Sequence, residues 1–227
     1  MQSVVETALR KLNWSGKSVL FAGRTDAGVH ASGQVVAFDL EWNHPSENLV
    51  KAINALLPDD AAVRAIKLSS PDFHPRYNAL SRTYRYQIFC HPVRDPLRER
   101  YAWRVWPAPE FDRLQSSASA FLGIHDFAAF GRPTNPGGST IRALTQASWQ
   151  RYGDGLTFEV IANAFLYHMV RRLVYVQIAV GQGKLASDEI HRCLQSPQEP
   201  PIQGLAPPQG LTLIRVEYPP ENGENDI

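Results

Sequence analysis

The order of helix-like and strand-like patterns along the chain restricts the folds that it can form. Near the N-terminus, apolar residues recur at helical spacing in residues 4–12 and 46–57, whereas residues 18–22, 34–40 and 61–68 have strand-like patterns. Helices and neighbouring strands in this order pack as a layer of helices on one face of a mainly antiparallel sheet. The sequence therefore predicts an α+β fold.

The second half of the chain has the same kind of layering without repeating the sequence. Its strongest strand pattern covers residues 81–90, where Tyr84 and Tyr86 alternate with polar residues. The loop 131–139 is rich in glycine and proline and is a candidate lid. The other predicted elements are a helix at 111–121, a hairpin of 140–151 with 156–161, an apolar helix at 165–180, a short helix at 187–194 and a final strand at 211–218.

A domain boundary is expected near residue 80, after a loop-like segment that contains two prolines. We predict an N-terminal α+β domain at 1–80, which carries the loop around Asp26, and a C-terminal α+β domain at 81–227. The acidic residues at 219–227 are expected to be disordered.

Composition is typical of an ordinary globular protein. The 227 residues, 44% of them hydrophobic, suffice for a sizeable core, and no apolar run approaches the roughly 18–20 residues of a membrane span. The first 12 residues are predicted to form a helix and not a signal peptide. Cys90 and Cys193 show neither metal-ligand spacing nor a disulfide framework. We therefore expect a cytoplasmic protein without a metal site.

A loop of small and polar residues at 22–31 carries the clearest chemical signal. It places Asp26 beside Arg24 and Thr25, and its glycines would let a substrate backbone approach closely. A carboxylate in such a loop can act as a nucleophile, a base or a metal ligand, but a single aspartate also commonly forms a turn. The absence of a second carboxylate nearby in the sequence argues against a paired-carboxylate glycosidase. The loop alone leaves these roles open.

The apolar helix at 165–180 carries an unexpected charge. Arg171 lies in its middle, on the same face as Tyr167 and His168. A guanidinium group in an apolar helix is costly unless it pairs with an acid or reaches solvent. Both explanations remain open from the pattern.

Seven arginines and only two acids lie between residues 76 and 104, interleaved with tyrosines and a tryptophan. This combination suits phosphate contacts with base stacking, although a charged run is also the ordinary surface of a strand. The formal net charge of only +1 does not decide between the two interpretations.

Several motifs, in order along the chain, resemble the tRNA pseudouridine synthase A family. The resemblance runs from the N-terminus to about Tyr218, and several long motifs in order are far more specific than one short pattern. The motifs are GRTDAGVHA at 23–31, FHPRY at 73–77, RTYRY at 82–86, HDFAAF at 125–130, NAFLYHMVR at 163–171 and GLTLI at 210–214.

This resemblance implies a fold and an activity. The fold would have two ferredoxin-like, RRM-like halves with mainly antiparallel sheets joined at a central catalytic cleft. The activity would be a cofactor-free conversion of uridine to pseudouridine at positions 38, 39 and 40 of the tRNA anticodon stem-loop. The partners would be tRNA and a second copy of the chain in a homodimer.

The resemblance also implies roles for individual residues. Asp26 would attack the nucleotide, and Arg171 would pair with that carboxylate. Tyr84 would stack on the target base and assist proton removal from its C5 atom. Arg24 would take the place of the extruded base, and further substrate contacts would come from Thr25, Arg76, Arg82 and His168.

One segment departs from the family pattern. The family begins with a strand and a loop that precede the first helix, and here Met1–Ser3 falls where that segment should have ended. We expect the N-terminal strand of the first sheet to be missing, which would expose a sheet edge. A non-catalytic tRNA-binding protein, disabled by the shortened N-terminus, is the alternative function, and a hydrolase of N-glycosidic bonds is a third.

Overall fold

A computed structural model describes residues 1–197 and 203–220 and confirms the α+β class. The helices are α1 (Gln2–Arg10), α2 (Ser46–Asn54), α3 (Phe111–Ser119), α4 (Met169–Gly181) and α5 (Glu189–Gln195). The strands are β1 (Leu20–Phe21), β2 (His30–Ala31), β3 (Val36–Ala37), β4 (Ser81–Cys90), β5 (Trp103–Val105), β6 (Gly123–Asp126), β7 (Ile141–Tyr152), β8 (Gly155–Ala162) and β9 (Leu211–Glu217).

The chain divides into two units. The smaller one consists of residues 1–23 and 35–78, and the larger one of residues 24–34 together with the chain from Ala79 onwards. The loop around Asp26 therefore belongs to the larger unit, whereas a single boundary near residue 80 would assign it to the smaller. The two-domain division made from the sequence stays a prediction, as do the two ferredoxin-like halves and the missing N-terminal strand.

The smaller unit has its own apolar core. Helical spacing places the apolar residues of α1 and α2 on one face of each helix, and the buried cluster consists of Leu9, Trp14, Val19, Leu49 and Ile53. The antiparallel pair β1–β3 supplies half-buried side chains to it. Burial of this kind stabilises short helices that would be marginal alone.

The prediction of a strand at 61–68 is wrong, although apolar residues of this segment do face the core. Val63 and Ile66 are half-buried against the apolar cluster of this unit. However, the Asn54 side chain takes both backbone groups of Val63, donating to its carbonyl at 2.8 Å and accepting from its N–H at 2.7 Å. Because an amide side chain satisfies these groups, the segment follows the end of α2 without joining a sheet.

The larger unit is built on a seven-stranded sheet in which β4 occupies the centre. The sheet order is β2-β9-β4-β8-β7-β6, and β5 pairs in parallel with the end of β4. The pairs β9–β4, β4–β8, β8–β7 and β7–β6 are antiparallel. β2 runs parallel to β9, with His30 opposite Thr212. This last pairing anchors the end of the loop around Asp26 to the sheet.

Aromatic side chains fill the core of the larger unit beneath α3 and α4. Phe121, Phe127, Phe130 and Phe158 are fully buried. Trp149 is also buried and donates its indole N–H to Oε1 of Gln177 on α4 at 2.8 Å, while Nε2 of Gln177 donates to the Leu173 carbonyl at 2.8 Å. A buried amide with partners on both sides ties helix to sheet at little cost.

The predicted elements shift mainly at their ends. β4 covers the predicted residues 81–90, whereas α4 begins at Met169 and not at residue 165. The reason is His168, whose φ of 65° lies in the left-handed region that a right-handed helix cannot include. In the predicted acidic tail, residues 221–227 lie outside the described part of the chain.

No helix in residues 1–197 and 203–220 combines the length and the apolar character that are needed to span a lipid bilayer.

Replacing Gln177 by leucine tests the buried bond between helix and sheet. The substitution leaves the Trp149 indole N–H without its acceptor, so we expect the free energy of unfolding to fall by about 1–3 kcal/mol in urea denaturation. Gln182→Leu is the control, because that exposed amide also donates to a carbonyl, that of Pro107. Its effect should stay within about 0.5 kcal/mol. Equal losses in the two variants would contradict the prediction.

Candidate active site

Asp26 lies in a tight turn whose main chain is satisfied without its side chain. The Asp26 carbonyl accepts a hydrogen bond from the Val29 N–H at 3.1 Å. Gly28, the third residue of this turn, has a φ of +83°, which favours glycine. A Cβ atom there would also lie 3.1 Å from Pro208. The carboxylate of Asp26 is therefore not used as a turn former.

The Asp26 carboxylate instead forms an ion pair with α4. Its Oδ2 atom lies 2.6 Å from Nη1 of Arg171 and 3.2 Å from Nε2 of His168. The side chains of Arg171 and Asp26 are only 11% and 21% exposed. Of the two explanations for an arginine in this apolar helix, the structure therefore selects pairing with an acid.

Both partners of Asp26 come from the start of α4. His168 is the residue that precedes the helix, and Arg171 lies in its first turn. The first turn of a helix presents free N–H groups and the positive end of the dipole, which favour a carboxylate there. Tyr167 stacks on His168 with ring centres 3.7 Å apart, and its backbone N–H donates to the Arg132 carbonyl at 2.8 Å. These contacts hold the entry to the helix in one conformation.

A second anchor fixes the Arg171 guanidinium. Its Nε donates to the Ala206 carbonyl at 2.7 Å, and the Ala206 N–H donates to the Arg171 carbonyl at 3.2 Å. The next residue, Pro207, accepts a hydrogen bond from the buried Tyr86 hydroxyl at 2.7 Å. Sequence reasoning did not identify this segment, although its clustered glycines and prolines marked a fixed loop.

His168 contributes a hydrogen-bonding group and not a full charge. Burial lowers its pKa, the nearby Arg171 and Arg172 lower it further, and Asp26 acts in the opposite direction. A histidine with a lowered pKa is neutral at pH 7. Arg171 is therefore the cation that balances Asp26.

Tyr84 brings an aromatic ring to the same cleft. It lies on β4, is only 8% exposed, and packs edge-to-face against Phe165 with ring centres 5.0 Å apart. The register with β9 shifts between Thr83 and Tyr84, and such bulges often re-aim a side chain beside a site. Burial raises the pKa of Tyr84 to about 12, with Asp26 raising and Arg82 lowering it. The hydroxyl therefore stays protonated at neutral pH.

Six of the residues predicted from the sequence line one cleft in the larger unit. The polar ones are Arg24, Thr25, Asp26, Tyr84, His168 and Arg171, and the neighbouring walls are largely apolar, with Val29, Phe165, Leu166 and Leu211 among them. Arg24 and Thr25 are exposed. A cleft with one oriented carboxylate, a buried aromatic ring and an exposed cation suits a planar, anionic substrate.

The other two predicted residues lie elsewhere. Arg82 is buried, and its Nη1 donates to the Asn163 carbonyl at 2.8 Å, which fixes the chain that leads toward α4. Arg76 is exposed on the smaller unit. In the described ranges, no group of three or more histidines, cysteines and acids is placed to hold a metal ion.

The arginine-rich segment at 76–104 is largely paired with acids. Glu99 lies within the segment and pairs with two of its arginines, whereas Glu159 and Asp154 belong to the β7–β8 hairpin, whose approach to this segment is not visible in the sequence. Its use in RNA contact stays a prediction. The pairs are Arg85–Glu159 at 2.9 Å, Arg94–Glu99 at 2.7 Å, Arg98–Asp154 at 2.7 Å and Arg104–Glu99 at 3.2 Å.

A double-mutant cycle on Asp26→Asn and Arg171→Met measures the strength of the central ion pair. Because both side chains are mostly buried, we expect a coupling energy of about 1–3 kcal/mol in urea denaturation. The matched control is the cycle Arg98→Met with Asp154→Asn, a pair at 2.7 Å whose side chains are 40% and 46% exposed. Water and salt screen that pair, so its coupling should be about 0.2–1 kcal/mol. A central coupling no larger than the control would show that burial does not strengthen the pair.

Comparison with known proteins places this site in a family. Residues 117–219 match the family model described as tRNA pseudouridine synthase. Curated proteins named tRNA pseudouridine synthase A are similar over nearly the whole chain. The protein from Limosilactobacillus fermentum is 34% identical, covering 100% of this chain and 90% of the relative. The protein from Geobacter sp. is 37% identical over 96% of this chain and 89% of the relative. The protein from Shouchella clausii is 36% identical over 96% of this chain and 84% of the relative.

The similarity therefore extends beyond the matched region to the turn that holds Asp26. Together with the assembled cleft, it shows that the chain belongs to the tRNA pseudouridine synthase A family, whose members are isomerases.

Proposed function

We propose that this protein converts uridine to pseudouridine at positions 38, 39 and 40 of the tRNA anticodon stem-loop, with Asp26 as the nucleophile. One observation carries the proposal. The contacts of the Asp26 carboxylate with Arg171 and His168 both go to Oδ2, and among the described residues Oδ1 has no hydrogen-bond partner. One oxygen is therefore held while the other is available to attack a substrate in the cleft.

The reaction is an isomerisation, so its atoms balance within the substrate. Attack by Asp26 on the nucleotide allows the N1–C1′ bond to break. The uracil turns, its C5 atom forms the new bond to C1′, and the bond that Asp26 had formed to the nucleotide breaks, which restores the carboxylate. C5 loses a proton and N1 gains one, so neither an oxidant nor a reductant is consumed.

The cleft residues suit successive parts of this reaction. A base in a stem must first be extruded, at a cost of a few kcal/mol. The exposed Arg24 at the cleft is suited to fill the vacated place. The Tyr84 ring offers an aromatic face to the uracil while it turns. Arg171, held at two nitrogens, keeps the Asp26 carboxylate aimed throughout.

The two alternative functions predict different products. A non-catalytic tRNA-binding protein would yield none, and the synthase names of the relatives do not favour it. A hydrolase of N-glycosidic bonds would release free uracil. Analysis of tRNA nucleosides and free bases after incubation with the purified protein separates all three.

The assembly and location of the protein belong to the same proposal. We propose a homodimer in the cytoplasm, both on the strength of the family resemblance. Two cysteines, both free, agree with a reducing compartment.

Substitution of Asp26 tests the nucleophile directly. Asp26→Asn keeps the size of the side chain but removes its nucleophilic oxygen, so we expect no pseudouridine at the anticodon stem-loop and tRNA affinity largely retained. Nucleoside analysis and a filter-binding assay measure the two properties. Asp154→Asn, which changes an exposed and paired aspartate, should retain activity. Full activity of Asp26→Asn would exclude Asp26 as the nucleophile.

The raised pKa of Tyr84 predicts the shape of the pH–rate profile. Its hydroxyl ionises at about 12 in the folded protein, so it stays protonated between pH 7 and about 10. We expect the profiles of the wild type and Tyr84→Phe to be parallel over this range, whatever the difference in absolute rate. A loss of rate near pH 9–10 that is present in the wild type and absent in Tyr84→Phe would contradict this.

A further inference from the structure

Arg172, the residue after Arg171, has no acid partner among the described residues. Arg172 also lies in the first turn of α4, and its side chain is partly buried. Its Nη1 reaches the Phe130 carbonyl only at 3.5 Å, the limit of a hydrogen bond. Its Nε is buried and has no hydrogen-bond partner in the part of the chain that the structure describes. The cleft chemistry assigned to Asp26, Tyr84 and Arg171 makes no use of this group.

The charged groups that lie near the Arg172 guanidinium in the described chain are two other arginines. Among residues 1–197 and 203–220, no carboxylate lies within ion-pairing distance of it. Burial lowers its pKa, and the positive charges of Arg132 and Arg171 lower it further. A partly buried charge among like charges is unfavourable unless an anion comes from outside the chain.

Arg132 stands on the neighbouring strand-like segment, in a fixed position. Its backbone forms a bridge with Tyr167, accepting from the Tyr167 N–H at 2.8 Å and donating to the Tyr167 carbonyl at 3.4 Å. Gly131 permits this close approach, because a Cβ there would lie 2.6 Å from Leu166. Arg132 is exposed and, in the described chain, has no ion-pair partner. Arg171 is already engaged by Asp26, so of these three neighbouring arginines Arg132 and Arg172 are the two that have no acid partner among the described residues.

Arg142 differs from Arg172 in its hydrogen bonds, although both have a buried Nε. Its Nε is also buried without a partner. However, its Nη1 donates to the Ser139 carbonyl at 2.9 Å and to the Ile141 carbonyl at 2.6 Å. These two bonds stabilise the backbone where the loop 131–139 ends. Arg172 has no such pair of contacts.

We infer that Arg172 and Arg132 together bind one phosphodiester phosphate of the RNA, next to the nucleotide that enters the cleft. This inference rests on the proposed function for the identity of the RNA. Guanidinium groups suit phosphate because their planar N–H donors match its oxygens in pairs. The bound phosphate supplies the counter-charge that the described chain does not provide to Arg172 and Arg132. It also ties the RNA backbone to the segment that carries Tyr167 and His168.

The salt dependence of tRNA binding tests this site. The full chain is compared with Arg172→Gln, Arg132→Gln and the double variant in binding assays between about 50 and 200 mM salt. We expect the slope of log Kd against log salt to fall by up to about one in each single variant. The double variant should also lose about one and not two, because both arginines hold the same phosphate.

Arg192→Gln is the control, since it removes the same charge from α5, where Arg192 pairs with Glu189 and Asp188. Its slope should equal that of the wild type. Slopes in the Arg172 and Arg132 variants that match this control would overturn the site. A loss of about two in the double variant would overturn the shared phosphate. Arg132 is exposed, so Arg132→Gln remains a valid test even if Arg172→Gln folds poorly.

A melting experiment distinguishes RNA from a free anion as the source of the phosphate. The Tm of the wild type is measured in inorganic phosphate and in chloride at equal ionic strength. If phosphate raises this Tm, while Arg172→Gln and Arg132→Gln keep the wild-type salt slope of tRNA binding, the site binds free phosphate and the RNA assignment is wrong. If the arginine variants lower the salt slope of tRNA binding but the wild type forms no pseudouridine, the phosphate site is supported and only the proposed reaction is wrong.

Discussion

The ion pair between Asp26 and Arg171 is the contact on which the rest of the cleft depends. It joins residues that are 145 positions apart in the chain, and its Nη1–Oδ2 distance is 2.6 Å. The turn at Gly28, the parallel pairing of β2 with β9 and the loop at Ala206 each fix one side of it. Because these three elements hold the pair in place, Oδ2 of Asp26 stays bound to Arg171 while Oδ1 stays available.

The electrostatics of the cleft are simple because His168 and Tyr84 are both neutral at pH 7. Lowered pKa keeps His168 uncharged at pH 7, and raised pKa keeps Tyr84 protonated. The cleft thus contains one paired acid–base couple, formed by Asp26 and Arg171, and an exposed cation, Arg24. Burial is the leading cause of both shifts, so the apolar wall around Phe165 sets the protonation states as well as the shape.

Two sets of arginines differ in their ion pairing in a way that the sequence does not reveal. Those at positions 85, 94, 98 and 104 have carboxylates within 3.2 Å or less, whereas Arg132 and Arg172 have none among the described residues. With a formal net charge of only +1, the chain as a whole attracts a polyanion weakly. The proposed phosphate site therefore depends on local cations such as Arg132 and Arg172 and not on the overall charge of the chain.

Local patterns in the sequence determined the α+β class, the residues of β4 and the identity of Asp26, Tyr84 and Arg171 as site candidates, because periodicity and motif are properties of neighbouring residues. The tertiary structure alone decided the rest. The pattern at 61–68 did not become a strand because Asn54 satisfied the backbone of Val63. The partner of Arg171 and its anchor at Ala206 likewise depend on distances between segments far apart in the chain. So does the lack of an acid beside Arg172 among the described residues. Such distances are set when elements pack, and no single segment encodes them.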